Sequence, residues 1–195
     1  LAMLAARPGV GEHEIDALLE HTFRRLGSTG AAYTPIVAGG VNATILHYVE
    51  NDRPLADGDL LLVDAGAEMP SGYGADVTRT WPVSGRYNPD QRAVYEVVLA
   101  AERAAVRRVT PGVRFRDVHF EAARVMAEGL VELGLLHGAP EGLVERGAQA
   151  LFFPHGVGHL LGLDVHDLET FGDAVGYAPG RTRSQAVMCA TMNGC

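Results

Sequence analysis

The sequence predicts an α+β domain in which helices cover one face of an antiparallel sheet. Two observations carry this expectation. Long stretches repeat their apolar residues at helical spacing, and two apolar, β-branched segments flank the turn signal Pro70-Ser71-Gly72. At 195 residues the chain is long enough for one sizeable core, so a single domain over 1–195 is the starting expectation.

The elements follow in order. LAMLAARPG resembles the last turns of a helix stopped by Pro8-Gly9, and the chain opens without methionine, so residues are expected to precede Leu1. In GEHEIDALLEHTFRRLG, Ile15, Leu18, Leu19, Phe23 and Leu26 share one face, with acids early, arginines late and Gly27 as the stop. Residues 33–49 mix β-branched residues and glycines and predict two short strands joined around Gly39-Gly40, with His47 in the second. DLLLVDAGAEM is a strand and YGADVTRTWPV its antiparallel neighbour. Residues 89–109 and 114–136 are predicted as two long amphipathic helices separated by Thr110-Pro111-Gly112. After the histidine-rich run at 155–167 the periodicity fades into a loop.

Composition narrows the chemistry. Sixteen basic residues, all arginine, against 24 acidic ones give a net charge of −8, which disfavours nucleic acid and anionic membranes as partners and suits a cationic ligand. Cys189 and Cys195, the only cysteines, lie at the end of the chain, so no disulfide framework organises it and a cytoplasmic setting is expected. The start shows no signal-peptide pattern, and no segment has the ~20 apolar residues of a membrane span.

Two groups of residues stand out. Asp64 ends the apolar run Leu60–Val63 and Asp76 precedes Val77. A carboxylate at the end of an apolar strand is costly to desolvate, and two on neighbouring strands need a cation or a shared proton if their side chains meet. Alone, either is equally a turn or capping aspartate. HGVGHLLGLDVHD then sets His155, His159 and His166 at intervals of four and seven among glycines. One such histidine is more often an ordinary core residue. Three together with the aspartates suit a transition-metal hydrolase, in which water is activated near neutral pH and a histidine steadies developing charge. The lack of cysteine near them disfavours a finger-type zinc site, and no GxSxG elbow is present.

The histidine run closely resembles the signature of the proline-specific pita-bread metallopeptidases, aminopeptidase P and prolidase. LLVDAG, GADVTRTWPVSGRY and the PDQRAVYEVVLAA helix resemble the same family in the same order, with ILHY upstream. The resemblance runs from about residue 1 to about residue 183. It implies a pita-bread fold and a dinuclear metal site, usually manganese, with Asp64, Asp76 and His159 as ligands and Asp76 bridging. His155, His166 and His47 would contact substrate, move protons and stabilise the tetrahedral intermediate. The implied reaction removes an N-terminal residue from peptides with proline second, through attack of a metal-bridging hydroxide. Prolidase and methionine aminopeptidase are the alternatives within the fold; His155, four residues before His159, favours the proline-specific branch. A non-catalytic pita-bread peptide-binding module is the alternative of another class, disfavoured because it has no chemical need for this residue set.

The family completes its site with two glutamates, which are absent here: the last acidic residues are Glu169 and Asp173. It also places a creatinase-like domain ahead of the catalytic one, within a homo-oligomer. Beyond RTRSQ, residues 186–195 no longer resemble it. The chain is therefore expected to be a partial catalytic domain, incomplete at the C-terminus, with weak metal binding and little turnover.

Overall fold

The computed structural model describes residues 1–167. Among those residues its contacts divide the chain into two compact units, one of residues 1–88 with 160–167, the other of residues 89–159. Among those residues no helix is long and apolar enough to cross a membrane.

In the first unit, helix α1 (Ala2–Ala5) precedes α2 (Glu12–Arg25). Helix α2 follows the predicted logic: Glu12 and Glu14 lie at the positive end of its dipole and Arg24 and Arg25 at the negative end. Glu14 Oε1 accepts the Gly11 N–H at 2.8 Å, satisfying one of the donors a helix start leaves open. Gly27, at φ +98°, ends the run where a side chain would be strained. Ile15 is fully buried against Val37, Leu55, Leu61, Val63, Ala65 and Val83, with Leu19 and Phe23 packed on the same cluster. Burying one such side chain is worth about 1.5–3 kcal/mol.

Three strands form the main sheet, β2 (Ile36–Gly39), β3 (Leu60–Ala65) and β5 (Val77–Pro82), with β3 central and both pairings antiparallel. Leu61, Val63 and Ala65 point into the core and Leu60, Leu62 and Asp64 to the other face, the alternation that a strand's two-residue period produces. Two short strands, β1 (Gly30–Ala31) and β4 (Ala67–Glu68), pair separately. The turn predicted at 70–72 closes the hairpin, with Gly72 at φ +84° and the Gly72 N–H on the Met69 carbonyl at 2.8 Å.

The two-strand expectation for residues 33–49 is half right. Ile36–Gly39 is a strand, but it pairs with β3 rather than with its own continuation. The chain turns at Gly40 (φ +55°) into a 3₁₀ helix, Gly40–Thr44, and His47 lies in a loop, not in a second strand. Val41, Ile45, Leu46 and Val49, whose β-forming character suggested the strand, are exposed. The loop is held by polar bonds to distant residues, which local propensity cannot anticipate.

The second unit is helical. Helix α3 (Pro89–Arg108) opens on a proline, whose missing N–H costs nothing there, and α4 (Phe115–Glu132) packs along it. Small residues at the contact, Ala101, Ala104 and Ala105 on α3 with Ala122, Ala123 and Ala127 on α4, let the helices approach closely. Gly129 lies so near Val97 that a Cβ there would fall 2.5 Å from its Cγ2. Helix α4 stops at Glu132 rather than 136 because Gly134 adopts φ +72° and the Leu135 N–H turns back to the Leu130 carbonyl. A short helix, α5 (Pro140–Glu145), and a 3₁₀ turn, Ala148–Leu151, lead towards the histidine run.

Candidate active site

The two aspartates meet around one phenol. The Tyr33 hydroxyl donates to Asp64 Oδ1 in a short hydrogen bond and reaches Asp76 Oδ1 at 3.0 Å. A hydroxyl has a single proton, so two carboxylates share one donor. All three residues are half-buried. Burial, then the bond to Asp64 and its charge, and then the same influences of Asp76, push the Tyr33 hydroxyl far above its ordinary pKa, so it stays protonated.

Backbone register explains how Tyr33 gets there. Strand β1 pairs with β4, the Ala32 N–H bonds the Gly66 carbonyl at 2.9 Å, and four residues later Ile36 lies opposite Asp64. The segment between them crosses the bend where β3 passes into β4. Asp64 is opposite Thr78 within the β3–β5 ladder, while Asp76 stands just before β5. They come together because Gly66 has no side chain: a Cβ there would overlap the Ala75 carbonyl, with the Asp76 nitrogen at 3.0 Å.

His166 belongs to the same unit. Its loop docks beside the segment that precedes Asp76, with the Gly74 N–H on the Gly162 carbonyl at 3.1 Å. His47 is exposed and held at φ +58°, a conformation sparsely populated by residues other than glycine.

His155 and His159 lie in the second unit. His155 packs edge-on against Phe153, ring centres 4.9 Å apart, and the other face of the cluster is His119 of α4, stacked on Phe153 at 5.2 Å. His155 Nδ1 lies 2.8 Å from the Gly156 carbonyl. A carbonyl only accepts, so Nδ1 carries the proton and Nε2 is the nitrogen left for proton transfer in the neutral ring. Burial, then the neighbouring His155, hold His119 below the usual histidine pKa.

Of the six predicted residues, Asp64 and Asp76 are joined through the Tyr33 hydroxyl. Among the described residues no three of His, Cys, Asp and Glu form a metal-binding group. Two carboxylates sharing one proton still suit a divalent cation, because hard oxygen donors with excess negative charge are what such ions take. Glu169 and Asp173, the last acidic residues, lie outside the described residues. Tyr33 escaped sequence reasoning, since a single tyrosine ahead of a strand carries no pattern.

The geometry can be set beside known proteins. The model of the metallopeptidase family M24 matches residues 1–193. The chain is similar to the Xaa-Pro aminopeptidases of Haemophilus influenzae, at 47% identity over 171 residues, and of Escherichia coli, at 43%. These matches cover 88% of this chain and 40% and 38% of those proteins, so the chain spans about two fifths of the length of the curated relatives it matches. Among solved structures it resembles an aspartate-to-alanine variant of Escherichia coli aminopeptidase P, with a TM-score of 0.85 at 42% identity, covering 88% of this chain and 39% of that one. The Yersinia pestis proline aminopeptidase P II matches with the same TM-score at 47% identity, over 89% of this chain and 39% of that one. The Escherichia coli enzyme also appears with histidine-to-alanine replacements, and in a zinc-substituted form with product. The antiparallel sheet, its helices and these neighbours make the fold a pita-bread fold, and the chain belongs to metallopeptidase family M24.

Proposed function

We propose that this chain is part of an Xaa-Pro aminopeptidase, which removes the N-terminal residue from peptides with proline in second position. The observation that carries the proposal is the Asp64–Tyr33–Asp76 cluster, in a chain 47% identical to an Xaa-Pro aminopeptidase. Two spacings support the site assignment. In the Escherichia coli structures one replaced histidine precedes the replaced aspartate by seventeen residues, and two other replaced histidines stand eleven apart. His47 precedes Asp64 by seventeen residues and His155 precedes His166 by eleven.

Asp64 and Asp76 would hold two divalent ions, with Mn²⁺ as the proposed metal and His159 as a further ligand. When bound, such ions polarise the scissile carbonyl and make water nucleophilic near neutral pH. The chain's own residues do the rest. Tyr33 keeps the two carboxylates in register. His155, with Nδ1 tied to Gly156, offers Nε2 to move a proton between the attacking water and the leaving proline nitrogen, and His166 and His47 contact the peptide and steady the charge on the tetrahedral carbon's oxygen. The peptide's ammonium end complements the acidic balance of the chain. A cytoplasmic setting and a homo-oligomeric parent accompany this reading.

The test uses the 195-residue polypeptide. The deciding experiment dialyses it against Mn²⁺ and assays metal per folded chain beside Asp76→Ala, then follows cleavage of an Xaa-Pro tripeptide and of its alanine counterpart. Metal lost in the variant, with any turnover confined to the proline peptide, supports the reading. Equal metal in both proteins, or faster cleavage of the alanine peptide, refutes it.

A further inference from the structure

Glu12 is a fully buried carboxylate that the chemistry above does not use. It stands at the start of α2, and its oxygens accept hydrogen bonds from four residues. Oε1 takes the Gly39 N–H at 2.7 Å and Asn42 Nδ2 at 3.1 Å; Oε2 takes the Tyr48 hydroxyl at 2.8 Å and the Arg53 N–H at 3.0 Å. Asn42 Nδ2 also donates to the Tyr48 oxygen at 2.9 Å, closing the network. The fit is tight: a Cβ on Gly39 would fall 3.3 Å from Oε1 and 2.7 Å from Leu55 Cδ2.

These partners mark out one loop. Gly39 and Asn42 are at its beginning, Tyr48 and Arg53 at its end, and His47 precedes Tyr48. Among the described residues, His47 (φ +58°) and Asn51 (φ +47°) are the non-glycine residues with positive φ, and both lie within it. Such conformations cost of order 1 kcal/mol or more and persist only where the surroundings over-determine them. His47 is exposed and cannot be held by packing, so the constraint comes from its neighbour.

We infer that Glu12 is a positioning residue: its carboxylate clamps both ends of loop 40–53 and thereby holds His47 in its left-handed conformation, presenting the imidazole to the substrate. This rests on the reading of His47 as a substrate contact. Each of Glu12's recorded partners is a donor, so Glu12→Gln keeps the shape but turns an NH₂ against donors.

The test uses the 195-residue chain with labelled histidines, the His47 ring signal being assigned by its loss in His47→Gln. In Glu12→Gln, amide exchange over 40–53 is expected to quicken about tenfold or more, and the His47 signal to move to its random-coil position, while Trp81 fluorescence reports an intact sheet. Exchange within twofold of wild type and an unmoved His47 signal overturn the inference. Should Glu12→Gln fail to fold, Tyr48→Phe, which removes one of the four bonded groups, decides: faster exchange and a partial shift support the clamp, and no change overturns it. A peptide titration in the presence of Mn²⁺ separates the two ideas. No His47 shift with an Xaa-Pro peptide in wild type overturns the substrate reading of His47; equal shifts in wild type and Glu12→Gln overturn the clamp alone.

Discussion

Replacing Gly66 by alanine tests whether the aspartate pair depends on backbone proximity. The added Cβ would lie more than an ångström inside the 3.0 Å closest approach that real Cβ atoms tolerate, against the backbone carbonyl of Ala75 rather than a side chain that could swing away. The hairpin must open by that amount, carrying Asp76 with it. Added to the 3.0 Å between Tyr33 and Asp76, the opening takes that pair to about 4 Å or beyond, out of hydrogen-bond range. Overpacking together with a lost backbone bond, such as Ala75 N–H to Ala67 at 3.0 Å, is expected to cost about 2–4 kcal/mol. Trp81, the only tryptophan, lies on β5 opposite Leu61 and reports on this unit during urea unfolding. Mn²⁺ uptake by the folded variant should fall in parallel. A variant within 0.5 kcal/mol of wild type by order of magnitude, with undiminished Mn²⁺ uptake, would refute the role given to Gly66.

Two pH predictions follow from the buried rings. Tyr33 is pushed up from its ordinary value of 10.0, and Tyr48 is pushed up to about 12 by burial and then by Glu12. The folded state thus keeps protons that the unfolded state releases, so stability is full below about pH 10 and declines as pH rises through the folded values. Tyr33→Phe should show a shallower alkaline decline in urea unfolding, and an unchanged slope would contradict the assignment. His119 is shifted the other way: the unfolded chain binds its proton first, so the helical unit should lose stability as pH falls below about 6.5. Hydrogen exchange over α4 should show this loss in wild type and its reduction in His119→Phe; equal acid sensitivity would count against it.

Much of the scaffold was legible in the sequence because it is local. Helix α2 announces itself by period, by charge placement and by Gly27, and the β3–β5 hairpin by Pro70-Ser71-Gly72 between two apolar segments. The aspartate pair followed from that hairpin. Loop 40–53 was not legible, because the groups that shape it come from Glu12, some thirty residues earlier, and overrule the strand propensity of Ile45, Tyr48 and Val49. Tyr33 was hidden for a similar reason: its place depends on the pairing of β1 with β4, each two residues long and without alternation to read. The glycine-punctuated histidine run carried the family resemblance but gave no sign that His155 and His159 fall in one compact unit and His166 in the other.

The two aspartates differ in how they are anchored. Asp64 sits in the central strand, laddered to Ile36 on one side and Thr78 on the other, whereas Asp76 hangs at the mouth of a hairpin whose far end is the Pro70–Gly72 turn. One is an anvil and the other an adjustable jaw. Lengthening or stiffening that turn acts on the gap between the carboxylates from the Asp76 side, and, if the pair holds metal as proposed, it is where an engineer would begin to match them to ions of different radius.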